Sequence, residues 1–289
     1  MKIKGIDKFR SKIPAFSGKR FIIIPLVLFL VFSISLIIQF YFDILPTLIP
    51  SPGAFELLFP LFPVFGVALI NAIGILLIYQ VWYHRTRLKA KYGQLSYQKI
   101  FLSGFSGVVI ISTLIIHNYL SIFIWQSAFW AQAPYSFYVI HLSSFFIGFQ
   151  SIIQIISFLL SMIFLFFGCL LVYRAIHTFG FDYMAVVYLY FPEESELQDH
   201  EIYSVLRHPT YTAIILMSLG GVFFQLNLYS IIFFCIIFLF LYIHIHYVEE
   251  KELIQRFGDS FKEYRKNTPA FFVRPKKWGK LFKFLLGRE

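Results

Sequence analysis

The chain has 289 residues, of which 58% are hydrophobic, 21% aromatic and only 14% charged, with a formal net charge of +10. That composition excludes an ordinary soluble domain and points to an all-α, polytopic membrane protein. Cys169 and Cys235 both fall inside apolar runs, which indicates neither a disulfide framework nor a thiolate metal site.

A basic arm from Lys2 to Arg20 opens the chain. It is followed by the first of six predicted transmembrane helices, at roughly 21–42, 60–83, 99–119, 150–173, 211–226 and 229–247. The first run is too long for a signal peptide and has no small-residue cleavage site, so it reads as a retained anchor. Between the third and fourth spans, 119–149 is apolar and aromatic and contains Pro134. It reads equally as a re-entrant piece, an interfacial piece or an extension of its neighbours. Trp82, Trp125 and Trp130 fit membrane-boundary aromatics.

With six spans, the basic arm, the loop Arg85 to Lys99, Arg174, Arg207 and the tail from Lys251 to Arg288 lie on one face. The opposite connections, 43–59 and 120–149, contain no Lys or Arg. The positive-inside rule then places both termini in the cytoplasm. Attraction to anionic lipid headgroups accounts for the positive charge, so the expected partner is the membrane and not a nucleic acid.

The chain divides into an N-terminal transmembrane region (1–149), a region bearing the potentially catalytic groups (150–275) and a basic amphipathic tail (276–289). The fourth span ends in Tyr173-Arg174 and leads through Phe179-Gly180 to an acidic stretch, Pro192 to Glu196. After Glu250, apolar residues at helical spacing run to Gly258, a plausible stop, and Asp259 to Tyr264 follows as a second short helix. The tail, Lys276 to Leu286, mixes bases with bulky apolar residues and reads as a membrane-surface segment.

The potential chemistry concentrates in Tyr203-Ser-Val-Leu-Arg207-His208-Pro209-Thr-Tyr211 and in Glu249-Glu250. The two apolar segments between them are joined by little more than Asn227, so they run antiparallel and return both motifs to one membrane surface. Pro209 suits the first position of a helix, where its missing N–H costs nothing. The helix start and the permanently charged Arg207 together suit a carboxylate or phosphate. Glu249 and Glu250, at the end of the partner helix, suit a cation or sugar hydroxyls. A ligand with one anionic and one cationic group, such as an amino-acid head, spans both.

In chain order the series is Tyr203, Arg207, His208, Pro209, Tyr211; then Glu249, Glu250, Leu253; then Phe257, Gly258, Phe261, Tyr264 and Pro269. With Arg174 and Phe179-Gly180 upstream, it resembles the isoprenylcysteine carboxyl methyltransferase family and the related phospholipid N-methyltransferases over roughly 165–272. The family pattern has Gly two residues before the motif Tyr and Gly two residues after the second Tyr. This chain has Glu201 and Ala213 there.

The resemblance implies S-adenosylmethionine as cofactor, bound on the cytoplasmic side. It implies that Tyr203, His208, Pro209 and Tyr211 line its site, that Glu249 and Glu250 hold its polar groups, and that Arg207 sits towards the acceptor. The acceptor it implies is a lipid or prenylated substrate entering sideways between helices. A carboxylate acceptor is already ionised and needs no base. An amine acceptor needs one, for which His208 and Glu250 are the candidates, and the lack of an evident base favours an ester product. Two rivals stand beside this reading. A nicotinamide-dependent membrane sterol reductase is disfavoured by the acidic stretch before the motif, and a non-catalytic scaffold is left open by Glu201 and Ala213.

Overall fold

The structure, a computed structural model, describes residues 4–49, 53–132, 135–184, 190–191 and 197–288. The principal helices are α1 (Ile6–Ser11), α2 (Ile23–Leu48), α3 (Leu61–Tyr92), α4 (Phe101–Leu120), α5 (Gln150–Phe179), α6 (Pro209–Gln225), α7 (Leu228–His244), α8 (Glu250–Asn267) and α9 (Trp278–Leu285). Pro134 and the acidic stretch 192–196 lie outside the described residues.

The stretches Gly18–Leu48, Leu61–Leu95, Phe101–Trp125, Gln150–Thr178 and Leu228–Asn267 are long and apolar enough to cross a membrane. Their outer surfaces are apolar as well: Phe29, Ile37, Ile155 and Phe166 are all exposed, as a helix facing acyl chains requires. The fifth of the six expected spans, α6, has 17 residues. That is about 26 Å of helix at 1.5 Å per residue, short of a ~30 Å hydrocarbon core. Pro209 fixes its start, and Leu226, in the left-handed region at φ 40°, closes its end. Asn227 then caps α7 through a reciprocal pair of bonds with Ser230. The turn is as tight as the sequence implies, and α6 and α7 form the antiparallel hairpin.

Close approach between helices depends on small residues. A Cβ on Gly107 of α4 would lie 2.5 Å from the carbonyl oxygen of Gly74 in α3. Likewise a Cβ on Gly168 of α5 would lie 3.0 Å from the Ala213 carbonyl of α6. Bundles packed without a hydrophobic drive between helices use such contacts.

The two ends of the bundle differ. At one end, the described residues of 121–149 form a cap of short turns: Leu142 N–H donates to the Leu226 carbonyl (2.7 Å) and Tyr229 Oη to that of Pro60 (2.9 Å). Trp125 and Trp130, expected as membrane-boundary aromatics, are buried in this cap against Tyr229. At the other end Lys4 donates to the Thr178 carbonyl (2.6 Å), Lys12 to Gln94 (3.1 Å), and α9 docks on α5 through Arg174 and the Phe284 carbonyl (3.1 Å). The N-terminal arm, the loop after α3 and the tail therefore meet at one end, and the asymmetry of charge along the chain becomes a single basic pole.

Candidate active site

The site is built at that basic pole. Residues Glu201–Ser204 form a 3-10 turn that presents Tyr203, and the fully buried Val205 and Leu206 anchor the chain that follows. Arg207 N–H then donates to the Pro269 carbonyl (2.9 Å) and His208 N–H to that of Ala270 (3.2 Å). Thr212 Oγ1 donates to the Phe271 carbonyl (3.1 Å), and Tyr264 Oη to that of Tyr203 (2.7 Å). The segment after α8 thus clamps the motif against the start of α6.

The acidic pair arrives on a different local structure. Residues Ile245–Glu249 make a π-helical turn between α7 and α8, a wider turn that re-aims side chains and recurs at functional sites. Gly258 breaks α8 with φ 58° and ψ −129°, so the expected stop is present, and Phe261 and Tyr264 follow on the second segment.

These elements converge on a cleft of about 590 Å³, its open mouth included. Its lining contains Tyr203, Arg207, His208, Pro209, Tyr211 and Glu249, along with Gln198, Leu253, Phe257 and Tyr264. Glu250 sits behind the wall, fully buried. Its Oε1 accepts from Arg207 Nε (3.0 Å) and Nη2 (2.7 Å) and lies 3.2 Å from His208 Nε2; its Oε2 pairs with Arg265 Nε at 3.3 Å. Arg207 Nη1 donates to the carbonyls of Arg265 (2.9 Å) and Thr268. The sequence suggests separate receptors for an anion and a cation; the fold joins Arg207 and Glu250 in one ion-paired cluster.

Glu249 faces the cleft differently. Its Oε1 lies 3.6 Å from His208 Nδ1, while Oε2 is buried without a hydrogen-bond partner among the described residues. Burial alone would push the His208 imidazole down, but the carboxylates of Glu249 and Glu250 outweigh it and hold the ring above its ordinary value. The cleft therefore carries the Glu249 carboxylate on its lining, beside the Arg207–Glu250 ion pair.

Some site residues escape the sequence. Gln198 lines the cleft from a stretch without regular pattern. From the N-terminal half, α3 reaches the site's rear: Trp82 packs edge-on against His244 (5.6 Å), whose other side meets Tyr211 (6.4 Å), and Arg85 pairs with Glu252 on α8. A basic residue at a span's end reads as an interfacial anchor, so no sequence signal singles out Arg85.

The two positions that depart from the expected glycines have structural accommodations. Glu201 takes φ 48°, the left-handed conformation that glycine adopts without strain. Ala213 is fully buried, and the missing side chain of Gly168 opposite leaves room for the helix that carries it.

Residues 156–260 match the sequence model of the phospholipid methyltransferase family. No curated protein and no solved structure matches the chain. The matched stretch runs from α5 through the motif and the hairpin into α8, and contains all seven of the expected site residues: Tyr203, Arg207, His208, Pro209, Tyr211, Glu249 and Glu250. Beside an N-terminal helical half outside the match, the chain is thus a membrane methyltransferase whose residues 156–260 are similar to the phospholipid methyltransferase family.

Proposed function

We propose that the cleft binds S-adenosylmethionine from the cytoplasmic side and that the chain methylates a lipidic acceptor arriving from the bilayer. The observation that carries this reading is the convergence of the 203–211 motif and Glu249 on one cleft at the bundle's basic pole. The chemistry of the lining fits such a cofactor. Glu249 Oε2 and Gln198 offer partners for an ammonium group and ribose hydroxyls, and Tyr203, Tyr211, Phe257 and Tyr264 offer aromatic surface for a flat base. Basic segments gathered at the same end favour a cytoplasmic orientation.

When bound, the cofactor supplies an electrophilic methyl group on a sulfonium. The chain's own residues exclude water and align the acceptor. A water-poor pocket favours a reaction in which cation and anion neutralise each other, and alignment supplies much of the rate. His208 and Glu250 are engaged in ion pairs, which favours an acceptor that needs no base: the carboxylate of a prenylated cysteine or a similar lipophilic acid. A specific observation favours phospholipid N-methylation as the second reading. Glu249, on the cleft lining, is a candidate base for a protonated amine, and the matching family model is that of phospholipid methyltransferases.

The test uses purified protein, methyl-labelled S-adenosylmethionine, a total lipid extract and a prenylated cysteine analogue. Base treatment that releases labelled methanol establishes an ester. Label that stays on lipid after base establishes N-methylation. Absence of labelled product with both acceptors, together with no cofactor binding, overturns the reading.

A further inference from the structure

Residues 274–288 contain six bases and no acid. Within them α9 is strongly amphipathic. Its inner face sends Phe284 and Leu285 into a buried cluster with Leu171, Ile202, Val205 and Leu206. Its outer face exposes Trp278, Phe282 and Leu286, spaced by four residues and so aligned along one stripe. That stripe is continuous with the flank of α5, since Phe282 meets Phe167 edge-on at 6.1 Å and the neighbouring Phe166 and Tyr173 are exposed. Lys276, Lys280 and Lys283 are exposed beside it. An apolar stripe continuous with the acyl-facing helix surface and flanked by uncompensated bases fits the headgroup boundary of an anionic bilayer.

The inner face of α9 also leads to the cleft. Lys277 Nζ donates to the Ser204 carbonyl at 2.5 Å, and Leu281 packs in the same cluster as Tyr203. Burial, and after it the neighbouring Arg274 and Lys280, push the Lys277 ammonium down; an anionic surface offsets the part that comes from these like charges. We propose that α9 docks on anionic lipid and, through Lys277 and Leu281, steadies the 3-10 turn that presents Tyr203, so that anionic lipid content sets the order of this wall of the cleft. The proposal does not rest on the identity of the cofactor or acceptor.

The test places the full chain in nanodiscs of phosphatidylcholine alone or with roughly one-third phosphatidylglycerol. Brominated acyl chains report Trp278 depth, taken as the difference in quenching between the natural chain and Trp278→Phe. Amide hydrogen exchange reports the turn Glu201–Ser204. Anionic discs are expected to deepen Trp278 and slow exchange in the turn by about tenfold, and Lys280→Gln combined with Lys283→Gln to return both readouts to their neutral-lipid values. Equal Trp278 quenching in the two discs overturns the docking. Deeper Trp278 with unchanged exchange in Glu201–Ser204 overturns the coupling. Protection gained equally from inorganic phosphate in neutral discs overturns the lipid surface as the ligand. All three readouts are independent of methyl transfer, so a failure of the methyltransferase reading leaves this test intact.

Discussion

Arg207 and Glu250, 43 residues apart in sequence, meet through Nε and Nη2 on a single carboxylate oxygen at 3.0 and 2.7 Å. Both side chains are almost fully buried. Removing one partner of a buried pair leaves an uncompensated charge, so Glu250→Ala should cost about 3–5 kcal/mol of stability. Arg207→Ala should do likewise and abolish methyl transfer. An isosteric apolar pair, Arg207→Met with Glu250→Leu, should recover most of the stability but not the transfer. Thermal unfolding in detergent and a labelled-methyl assay check both. Wild-type transfer by Arg207→Ala would remove it from the mechanism.

Glu249 is the one of the two paired acids that lines the cleft. Glu249→Gln keeps the shape but removes the charge, and should weaken S-adenosylmethionine binding by roughly 1.5–3 kcal/mol, the range for a hydrogen bond to a charged group. Its effect on stability should be smaller than that of Glu250→Ala. Isothermal titration of the two variants separates the roles, and unchanged affinity in Glu249→Gln takes it out of the cofactor site.

His208 should give the fold a pH dependence of defined sign. Its folded-state pKa is raised by Glu249 and Glu250, so the protonated ring's stabilising contribution is fully present below the unfolded value of about 6.5. It is lost as pH rises through the higher folded value. The unfolding temperature should therefore decline over that interval in the natural chain and flatten in His208→Gln. A steeper decline in the variant would contradict the pairing.

Glu201 holds a left-handed conformation that costs an ordinary residue about 1–2 kcal/mol, and its Oε2 is buried without a partner among the described residues. Glu201→Gly should leave thermal stability unchanged or raise it by up to about 1 kcal/mol, allowing for glycine's greater entropy loss on folding. Methyl transfer should persist. A clear loss of stability would show that the Glu201 side chain contributes more than its backbone costs.

Far from the cleft, Asp43 of α2 and His117 of α4 pair at 2.8 Å with no exposed side-chain surface, and Phe40 and Phe233 flank the imidazole. Asp43→Ala should destabilise by about 3–5 kcal/mol, while the cofactor affinity of the folded fraction stays unchanged. Asp43→Asn, which keeps a partner for His117, should cost less. Altered affinity in folded Asp43→Asn would reveal coupling along the bundle.

Much of this protein is legible in its residues because the bilayer is a severe solvent. Long apolar runs can only become helices there, since every backbone group must be bonded internally. The charge asymmetry of the connections, the tight turn at Asn227, the stop at Gly258 and the clustering of Tyr203 to Tyr211 with the acidic pair all follow from local pattern. What local pattern leaves undecided is length against packing. The fifth expected span has only 17 residues, and Trp125 and Trp130 turn inward because the described residues of 121–149 fold over the end of the bundle.

The amino-acid sequence by itself determined the helical class, the basic pole and the 203–211 motif and Glu249 that line the cleft. Only the tertiary structure decided which of their charges cancel. Arg207 and Glu250 look like two receptors in the sequence because each is fully functional in water. Buried together, each is the other's cheapest counter-charge, and of the two acids only Glu249 lines the cleft. Nor does any linear pattern place Arg85 and Trp82 behind the site or α9 beneath Tyr203, because those contacts join segments far apart in the chain and depend on how the helices pack.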